Sequence, residues 1–272
     1  MTRIILSTRK TLEEQAAARF DAAKKAKRKL DGITATITRF ERELPQTQER
    51  VAYSAPRVKA WYERFRWSYT TSGVLLIGGR DAGTNEVIIK KHLEDRDIVF
   101  HTELPSSPFV LLKPEAHQQL TNTDKEEAAQ FCAVYSRLWK AGAAVGDVFW
   151  VFPGQVSKTA NTGEFVGRGS FMIRGEKHFL RPNVTIAIGI IDGAPTSGVA
   201  ELFAKRPGAY VLLAPGDEKS SDTARKLLKK LPGIADQYVQ IIPPGGTRLL
   251  GWKRGAGAGP SLDFVEEPTE NV

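Results

Sequence analysis

The apolar and small side chains in the first part of the chain recur every three or four positions, over residues 12–44. This repeat predicts a long α-helix with a coiled-coil seam along one face, interrupted by the charged Arg19. Thr11 and Glu14 have the spacing of a capping box that begins the helix. Pro45 ends it, because proline lacks the backbone N–H that a helix requires.

The seam of this predicted helix needs a cover, since a long apolar stripe in water favours association. We expect a second helix over about residues 46–66 to fold back on it, which makes residues 1–66 an antiparallel coiled-coil hairpin. Homodimerisation through the seam is the alternative way to bury the same side chains.

After Trp67 the pattern changes to short apolar runs bounded by glycine and proline, which is typical of strands. Helical periodicity returns at residues 85–93 and 124–141. Because strands and helices are interspersed without strict alternation, residues 67–192 are predicted to form an α+β domain with a mixed or antiparallel sheet. The predicted strands cover residues 74–77, 98–101, 109–112, 147–152, 170–173 and 184–191.

The last part of the chain predicts a small C-terminal α/β module over residues 193–254. Residues 193–198 have the composition of a linker. A βαβ-like order follows, with strands at residues 210–214, 238–242 and 248–252 and a helix at residues 222–231. Residues 255–272 are glycine-rich and then acidic, which predicts a disordered tail.

The composition is typical of a soluble protein with a sizeable core, since 41% of the residues are hydrophobic and 26% are charged. No apolar run is long enough to cross a bilayer, so we expect a cytoplasmic location and no membrane partner. The lone Cys132 is predicted to be a core residue rather than a nucleophile. The four histidines have no metal-ligand spacing, and the sequence predicts neither a metal nor a cofactor.

The net charge of +8 is concentrated near the start, where residues 1–60 hold 14 Lys and Arg against 7 Asp and Glu. A basic segment attracts polyanions by releasing their counterions, and RNA is the polyanion that we expect. The alternative is a solvated, lysine-rich helix face. The candidate RNA contacts here lie mostly off the seam: Lys24, Lys25, Lys27, Arg28 and Lys29.

Further candidate RNA contacts lie at the start of the predicted α+β domain. Arg64 and Arg66 alternate with aromatic residues, a pattern that suits phosphate binding and base stacking. Arg80 and Asn85 follow a glycine-rich strand end and open a helix, where backbone amides accommodate an anion. The alternative is a tight turn in which Arg80 pairs with Asp81 and Asn85 caps the helix.

His101 and Glu103 alternate along a predicted strand and therefore share one of its faces, while Lys113 ends the next strand. The trio suits either acid–base chemistry or a grip on phosphate. The remaining candidates occupy polar loops and turns where a phosphate contact or plain solvent exposure would fit: Ser157, Lys158, Arg174 and Lys177.

Several separated motifs in register resemble the RNA-binding domain of the NFACT family of ribosome-associated quality-control proteins. They are W-Y-E-R-F-R-W at Trp61–Trp67, G-G-R-D-A-G-T-N-E at Gly78–Glu86, D-I-V-F-H-T-E-L-P-S-S-P-F-V-L-L-K at Asp97–Lys113, F-C-A-V-Y-S-R-L-W-K at Phe131–Lys140, Q-V-S-K at Gln155–Lys158 and G-S-F-M-I-R-G-E-K at Gly169–Lys177.

The chain departs from the family pattern in one loop. Ser106 stands where the family motif has glycine, and Pro105 stands where some members carry a second histidine. The basic helix and the C-terminal segment also resemble the coiled-coil arm and the C-terminal extension of archaeal members, so the resemblance covers about residues 11–250.

The resemblance implies a non-enzymatic RNA-binding protein whose partners are tRNA or rRNA and the large ribosomal subunit. On the same resemblance we expect the chain to lack the NFACT-N and helix-hairpin-helix modules. Either a separately encoded NFACT-N protein supplies that half, or the chain has a simpler role with tRNA or rRNA. Two other hypotheses stay open: an RNA-processing or RNA-modifying enzyme that uses His101, Glu103 and Lys113, and a coiled-coil adaptor without RNA activity.

Overall fold

The computed structural model describes residues 11–43, 60–159 and 167–256. The chain divides into two compact units, residues 1–55 and residues 56–272. The first unit contains α1, Leu12–Glu43. Its predicted capping box is confirmed, because the Glu14 N–H donates to Thr11 Oγ1 over 3.2 Å and the Thr11 N–H donates to Glu14 Oε2 over 3.0 Å. The helix therefore begins where the sequence predicts.

Large apolar side chains along α1 are exposed, as are the five cations of its basic cluster. The predicted returning arm, residues 46–66, falls largely outside the described residues. Its last part is not α-helical, since Trp61–Arg64 is a 3-10 turn and β1, Arg66–Tyr69, follows. The physical reason is strand pairing: β1 forms an antiparallel ladder with β2, Leu75–Gly78.

The main sheet of the second unit has six strands in the order β1-β2-β4-β3-β5-β8. Every pairing is antiparallel, so the mixed alternative is corrected to an antiparallel sheet. Successive side chains alternate between its two faces. Its further strands are β3 (Ile98–His101), β4 (Val110–Lys113), β5 (Val148–Val151) and β8 (His178–Leu180).

A helix covers each face of this sheet. On one face α2, Ala82–His92, buries Ile88 in a cluster that includes Leu111. On the other face α3, Asn122–Val134, buries Phe131 in the cluster that includes Leu112. The predicted helix 124–141 is two helices, because the Ser136 hydroxyl caps a new helix, α4 (Arg137–Lys140), by accepting the Leu138 N–H over 3.1 Å.

A second, four-stranded antiparallel sheet follows, in the order β10-β9-β11-β12. Its strands are β9 (Ile186–Ile191), β10 (Ala194–Gly198), β11 (Ala209–Glu218) and β12 (Thr247–Arg254). Three helices accompany them: α5 (Ala200–Ala204), α6 (Ser220–Leu227) and α7 (Ala235–Ile241). A two-stranded ladder pairs β6 (Val156–Ser157) with β7 (Met172–Ile173).

The predicted linker and βαβ order are corrected by this sheet. Residues 193–198 include β10, which pairs with β9 through a tight turn where Asp192 and Gly193 both have positive φ. Residues 238–242, predicted as a strand, lie mostly in α7, and β11 pairs directly and antiparallel with β12. Tyr238 belongs to the same buried cluster as Phe131, so one core extends across the predicted boundary at residue 193.

The helices were compared with the length and apolarity that a membrane-spanning helix requires. Within residues 11–43, 60–159 and 167–256, no helix combines the length and the apolarity needed to span a bilayer.

Candidate nucleic-acid interface

A cleft of about 650 Å³ opens in the second unit, beside the first turn of α2 and the junction of α3 with α4. The loop that joins β3 to β4 and the segment before β7 complete its walls. Among the described residues that line it, one is acidic, Asp81, whereas five are basic: Arg66, Arg80, Arg137, Lys140 and Arg168. The cleft is therefore an electropositive cavity, which is the electrostatic signature of an anion site.

Arg66 reaches this cleft from β1 and lies over the ring of Tyr135, with its guanidinium carbon 4.2 Å from the ring centroid. Burial lowers the pKa of the Arg66 guanidinium, and the positive charge of Arg80 lowers the pKa further. Tyr135 is buried, and its hydroxyl donates to the carbonyl of Ile241 over 2.5 Å. The tyrosine thus forms a rigid support under the arginine.

Arg80 occupies the turn between β2 and α2, and backbone carbonyls hold its guanidinium. The two terminal nitrogens donate to the carbonyls of Phe65 (3.1 Å) and Gln240 (3.2 Å). The Nε atoms of Arg66 and Arg80 are buried without a hydrogen-bond partner, and within the described residues neither guanidinium has a carboxylate in ion-pair range. Two adjacent, uncompensated cations are costly unless an anion joins them.

Asp81 does not neutralise this pair, because its carboxylate caps α2. Oδ1 of Asp81 accepts the Thr84 N–H over 2.8 Å. This hydrogen bond is the main cause that lowers the Asp81 pKa, and the charge of Arg168 contributes to the same shift. The predicted pair of Arg80 with Asp81 is therefore replaced by a helix cap next to Arg168.

The segment that carries Arg168 is linked to α2 by Lys158 and Glu86, and we call this link the clamp. Lys158 Nζ donates to Glu86 Oε2 (2.8 Å), to the Gly167 carbonyl (2.8 Å) and to the Ser170 carbonyl (3.0 Å). Glu86 also accepts the Gly169 N–H over 2.8 Å, and its contacts with Lys158 and Lys90 lower the Glu86 pKa to about 2. Lys158, predicted as an RNA contact, is thus engaged in holding the segment that carries Arg168.

Glycine is required at residue 169 in this clamp. Its φ is +75°, and a Cβ there would collide with the backbone of Ala82 at the start of α2. The close approach of the two backbones brings Arg168 beside the helix N-terminus, where the unpaired backbone amides also favour negative charge.

Asn85 and His101, two of the predicted RNA contacts, line the same cleft, but Asn85 is engaged in the fold. Its Nδ2 donates to the Ser107 carbonyl (3.2 Å) and its Oδ1 accepts the Phe109 N–H (3.1 Å). His101 Nδ1 lies 2.5 Å from the Thr102 carbonyl, and burial lowers the His101 pKa. The His101 ring packs 4.3 Å from Phe109, so it contributes a neutral aromatic wall.

The loop after His101 is fixed by its own hydroxyl groups. Thr102 Oγ1 lies 2.6 Å from Ser107 Oγ, which donates to the Leu104 carbonyl over 2.9 Å. Ser106 has a φ of +62°, the left-handed conformation that glycine adopts most easily. In this chain, serine therefore stands at a position whose backbone conformation favours glycine.

Arg137, Lys140 and Arg168 are the basic lining residues that the sequence analysis missed. Arg137 and Lys140 are exposed at the two ends of α4. Ser136 was the available signal, since a capping serine inside a predicted helix brings the residues after it onto a new helix. Arg168 was signalled by the neighbouring Gly169.

Lys113 lies away from the cleft. Its ammonium donates to Asp97 and to the His92 carbonyl, both over 2.7 Å, and the carboxylate of Asp97 is buried. Glu103 is exposed and pairs with Lys177 over 2.8 Å. The proposed trio of His101, Glu103 and Lys113 therefore has separate partners and does not converge on one reaction centre.

The other predicted contacts also lie outside the cleft lining. Ser157 accepts the Thr159 N–H over 3.0 Å, and Arg174 donates to the Thr159 carbonyl over 3.0 Å. Arg64 is exposed, with its guanidinium carbon 4.6 Å from the Phe65 ring centroid. Of the residues predicted within the second unit, the cleft lining that the structure describes brings together Arg66, Arg80, Asn85 and His101.

The described residues were also compared with the requirements of a metal site and of a reactive thiol. No group of three His, Cys, Asp or Glu side chains suited to a metal ion occurs among the described residues. Cys132 is buried, as predicted, and burial raises the pKa of its thiol. A thiol held protonated in the core is inert.

Comparison with known proteins identifies the domain that contains the cleft. The sequence profile of the NFACT protein RNA binding domain matches residues 64–175. All five basic residues of the cleft fall inside this match.

Three relatives illustrate the similarity. The archaeal Rqc2 homolog aRqcH of Methanocaldococcus jannaschii is 37% identical over 204 residues, which are 71% of this chain and 30% of that protein. The ribosome quality control complex subunit NEMF homolog of Drosophila melanogaster is 36% identical over 62% of this chain and 17% of its own length. For the human subunit NEMF the identity is 35% over 60% of this chain and 15% of that protein.

The matched part of the chain thus spans less than a third of these relatives. Among solved structures, the C-terminal of the fibronectin/fibrinogen-binding protein from Streptococcus suis gives a TM-score of 0.37 at 18% identity, covering 46% of this chain and 48% of that chain. That likeness is too limited to define the fold.

Proposed function

This chain belongs to the NFACT family through its RNA-binding domain, and we propose that it binds RNA in the basic cleft. The observation that carries the proposal is the charge of the lining. Five cations face one carboxylate, and that carboxylate is engaged as a helix cap. Cations that line a concave surface gain affinity for RNA by releasing counterions from its phosphates.

The RNA element that fits is an unpaired nucleotide. Arg66 and Arg80 both line the cleft, and their positive charges lie close enough to act on each other, so the negative charge of one phosphate there would compensate both. His101 and Phe171 offer aromatic walls on which a base stacks. A concave cleft of this kind receives a base splayed from a loop or strand end, whereas a duplex presents its phosphates on a convex surface.

The identity of the RNA is proposed from the relatives, which are named as ribosome quality-control factors. We propose that the chain binds tRNA or the rRNA of the large ribosomal subunit in the cytoplasm. The basic cluster of α1 supplies a second, sequence-independent contact. A separately encoded NFACT-N protein and a second copy joined through the α1 seam are the protein partners that we propose.

A binding role is favoured over catalysis. His101 is held by a backbone carbonyl, Lys113 by Asp97, and Glu103 by Lys177. A general acid–base mechanism needs such groups within hydrogen-bonding reach of one substrate. Their separate pairing removes the specific support for the RNA-processing hypothesis.

Recovery of RNA from cells tests this proposal. The tagged chain, crosslinked in its host, is expected to enrich tRNA or large-subunit rRNA over total RNA. The double variant Arg137→Gln/Lys140→Gln is expected to lose most of that enrichment, because both exposed cations lie at the cleft. Recovery of no RNA, or equal recovery by the variant, would reject the cleft as the RNA site.

A further inference from the structure

We infer that single-stranded RNA bound in the cleft continues over the β5–β8 edge of the main sheet, where Phe179 stacks on a base. This inference rests on the proposed function of the cleft and extends it. It assigns a second nucleotide position and the path that the RNA strand follows from the cleft to the sheet edge. It is carried by a row of aromatic rings that joins the cleft to the sheet edge.

The row begins at His101 in the cleft wall and ends at Phe179 on β8, the edge strand. The His101 ring lies 6.0 Å from the Phe149 ring, which lies 5.9 Å from the Phe179 ring. Phe149 is 3% exposed, whereas Phe179 is 57% exposed. Phe179 therefore reaches solvent, His101 is half-buried in the cleft wall, and Phe149 supports both rings from below.

The length of the row suits a short stretch of RNA. Stacked nucleotides advance by about 3.4 Å each along one strand. The two ring-to-ring steps between His101 and Phe179 thus correspond to a few nucleotides. A strand with one base in the cleft can bring a second base to Phe179 without bending back.

Lys177 lies beside the row of aromatic rings. Lys177 lies with its ammonium 4.5 Å from the Phe149 ring centroid, between the two ends. It pairs with Glu103 over 2.8 Å, but the Glu103 side chain is 59% exposed. Solvent-exposed pairs of this kind contribute little, so a phosphate can take the place of the carboxylate. Aromatic platforms interleaved with cations are the chemistry by which proteins hold unpaired strands.

The opposite face of the same strand pair provides a matched control. Phe152 is 53% exposed and lies 5.4 Å from the Trp150 ring. Trp150 stacks on His178 on the face that packs towards α3. Phe152 therefore equals Phe179 in residue type and exposure but lies on the face turned away from the row.

The experiment measures binding of fluorescent oligouridines of about 2 and about 10 nucleotides to the full chain. Phe179→Ala is expected to weaken binding of the longer oligonucleotide by roughly 5- to 100-fold, the range found for loss of one stacked base, and to leave the shorter one unchanged. Phe152→Ala is expected to change neither. Phe179→Trp should retain the affinity that Phe179→Leu loses, since stacking requires a ring. Thermal melting confirms that each variant is folded.

The inference is overturned if Phe179→Ala binds the longer oligonucleotide as tightly as Phe152→Ala does. It is also overturned if wild-type chain self-associates through this edge and Phe179→Ala abolishes only that association. These results leave the cleft intact, because loss of both lengths in Arg137→Gln/Lys140→Gln supports the cleft independently. Wild-type chain that binds neither length would instead reject the proposed function itself.

Discussion

Lys158 donates a hydrogen bond of 2.8 Å to Glu86, and this pair joins α2 to the segment that carries Arg168. Lys158 has further acceptors in the carbonyls of Gly167 and Ser170, so its three N–H groups are used within the protein. The lysine therefore acts on the cleft by positioning Arg168 rather than by touching a ligand.

Loss of this ammonium is expected to destabilise the protein. Lys158→Met removes the shared donor of two carbonyls and one of the donors to the half-buried Glu86, which keeps Lys90 and the Gly169 N–H, and this costs about 1–3 kcal/mol. For a domain of this size the melting temperature should fall by roughly 2–10 °C. Differential scanning calorimetry measures the change, with the exposed Lys229→Met as the control. An unchanged melting temperature together with lost RNA affinity would return Lys158 to the role of a direct RNA contact.

Acid should release the same clamp. The Glu86 pKa is lowered from 4.5 to about 2 by Lys158 and Lys90, so the ionised clamp contributes stability above pH 4.5. That contribution is lost as the pH falls through about 2. Urea denaturation of wild type and Glu86→Gln should therefore show a stability difference that shrinks between pH 4.5 and pH 2. A difference that stays constant over this range would contradict the assignment.

Ser106 offers a stabilising substitution. Its φ of +62° strains any residue that has a Cβ, whereas glycine adopts this conformation readily. Ser106→Gly is expected to raise the free energy of unfolding by about 0.5–1 kcal/mol, after the added entropy of the unfolded chain is subtracted. Ser106→Ala keeps the strain and should give no gain. Equal stability of both variants in chemical denaturation would show that the backbone is relaxed as serine.

The basic cluster of α1 predicts a salt effect. Replacement of Lys24, Lys25, Lys27, Arg28 and Lys29 by glutamine should weaken RNA binding and flatten its dependence on salt. Each cation that contacts a phosphate accounts for roughly 0.7–0.9 in the slope of log affinity against log salt. Titrations at several salt concentrations measure that slope. An unchanged slope would assign the cluster to a solvated helix face.

The sequence predicted those elements whose local pattern agrees with their final environment. The α1 capping box, the helix that becomes α2 and the strand Ile98–His101 all follow their local signals. Arg66–Tyr69 was missed because its aromatic residues continue a helix-like spacing, and pairing with β2 overrides it. Residues 238–242 have a strand-like composition, yet Tyr238 is buried in a helix against the core.

The sequence marked some of the residues that line the cleft and missed others. Polar residues at strand ends and glycine turns marked Arg80 and His101, and both line the cleft. The sequence could not show that Lys113 would meet Asp97, or Lys158 would meet Glu86, because these partners come together only in the tertiary fold. Arg137 and Lys140 lie at the cleft because a buried turn ends α3 just before them and places them on α4.

The most direct test is a tRNA titration by fluorescence anisotropy, comparing Arg137→Gln/Lys140→Gln with Arg225→Gln/Lys229→Gln. Both pairs of cations are exposed, but the first lines the cleft and the second lies on and beside α6. The cleft pair should weaken binding at least about 10-fold and reduce the salt slope by roughly 1.4–1.8, whereas the control pair should change little. Equal affinities and slopes for the two folded variants would contradict RNA binding in the cleft.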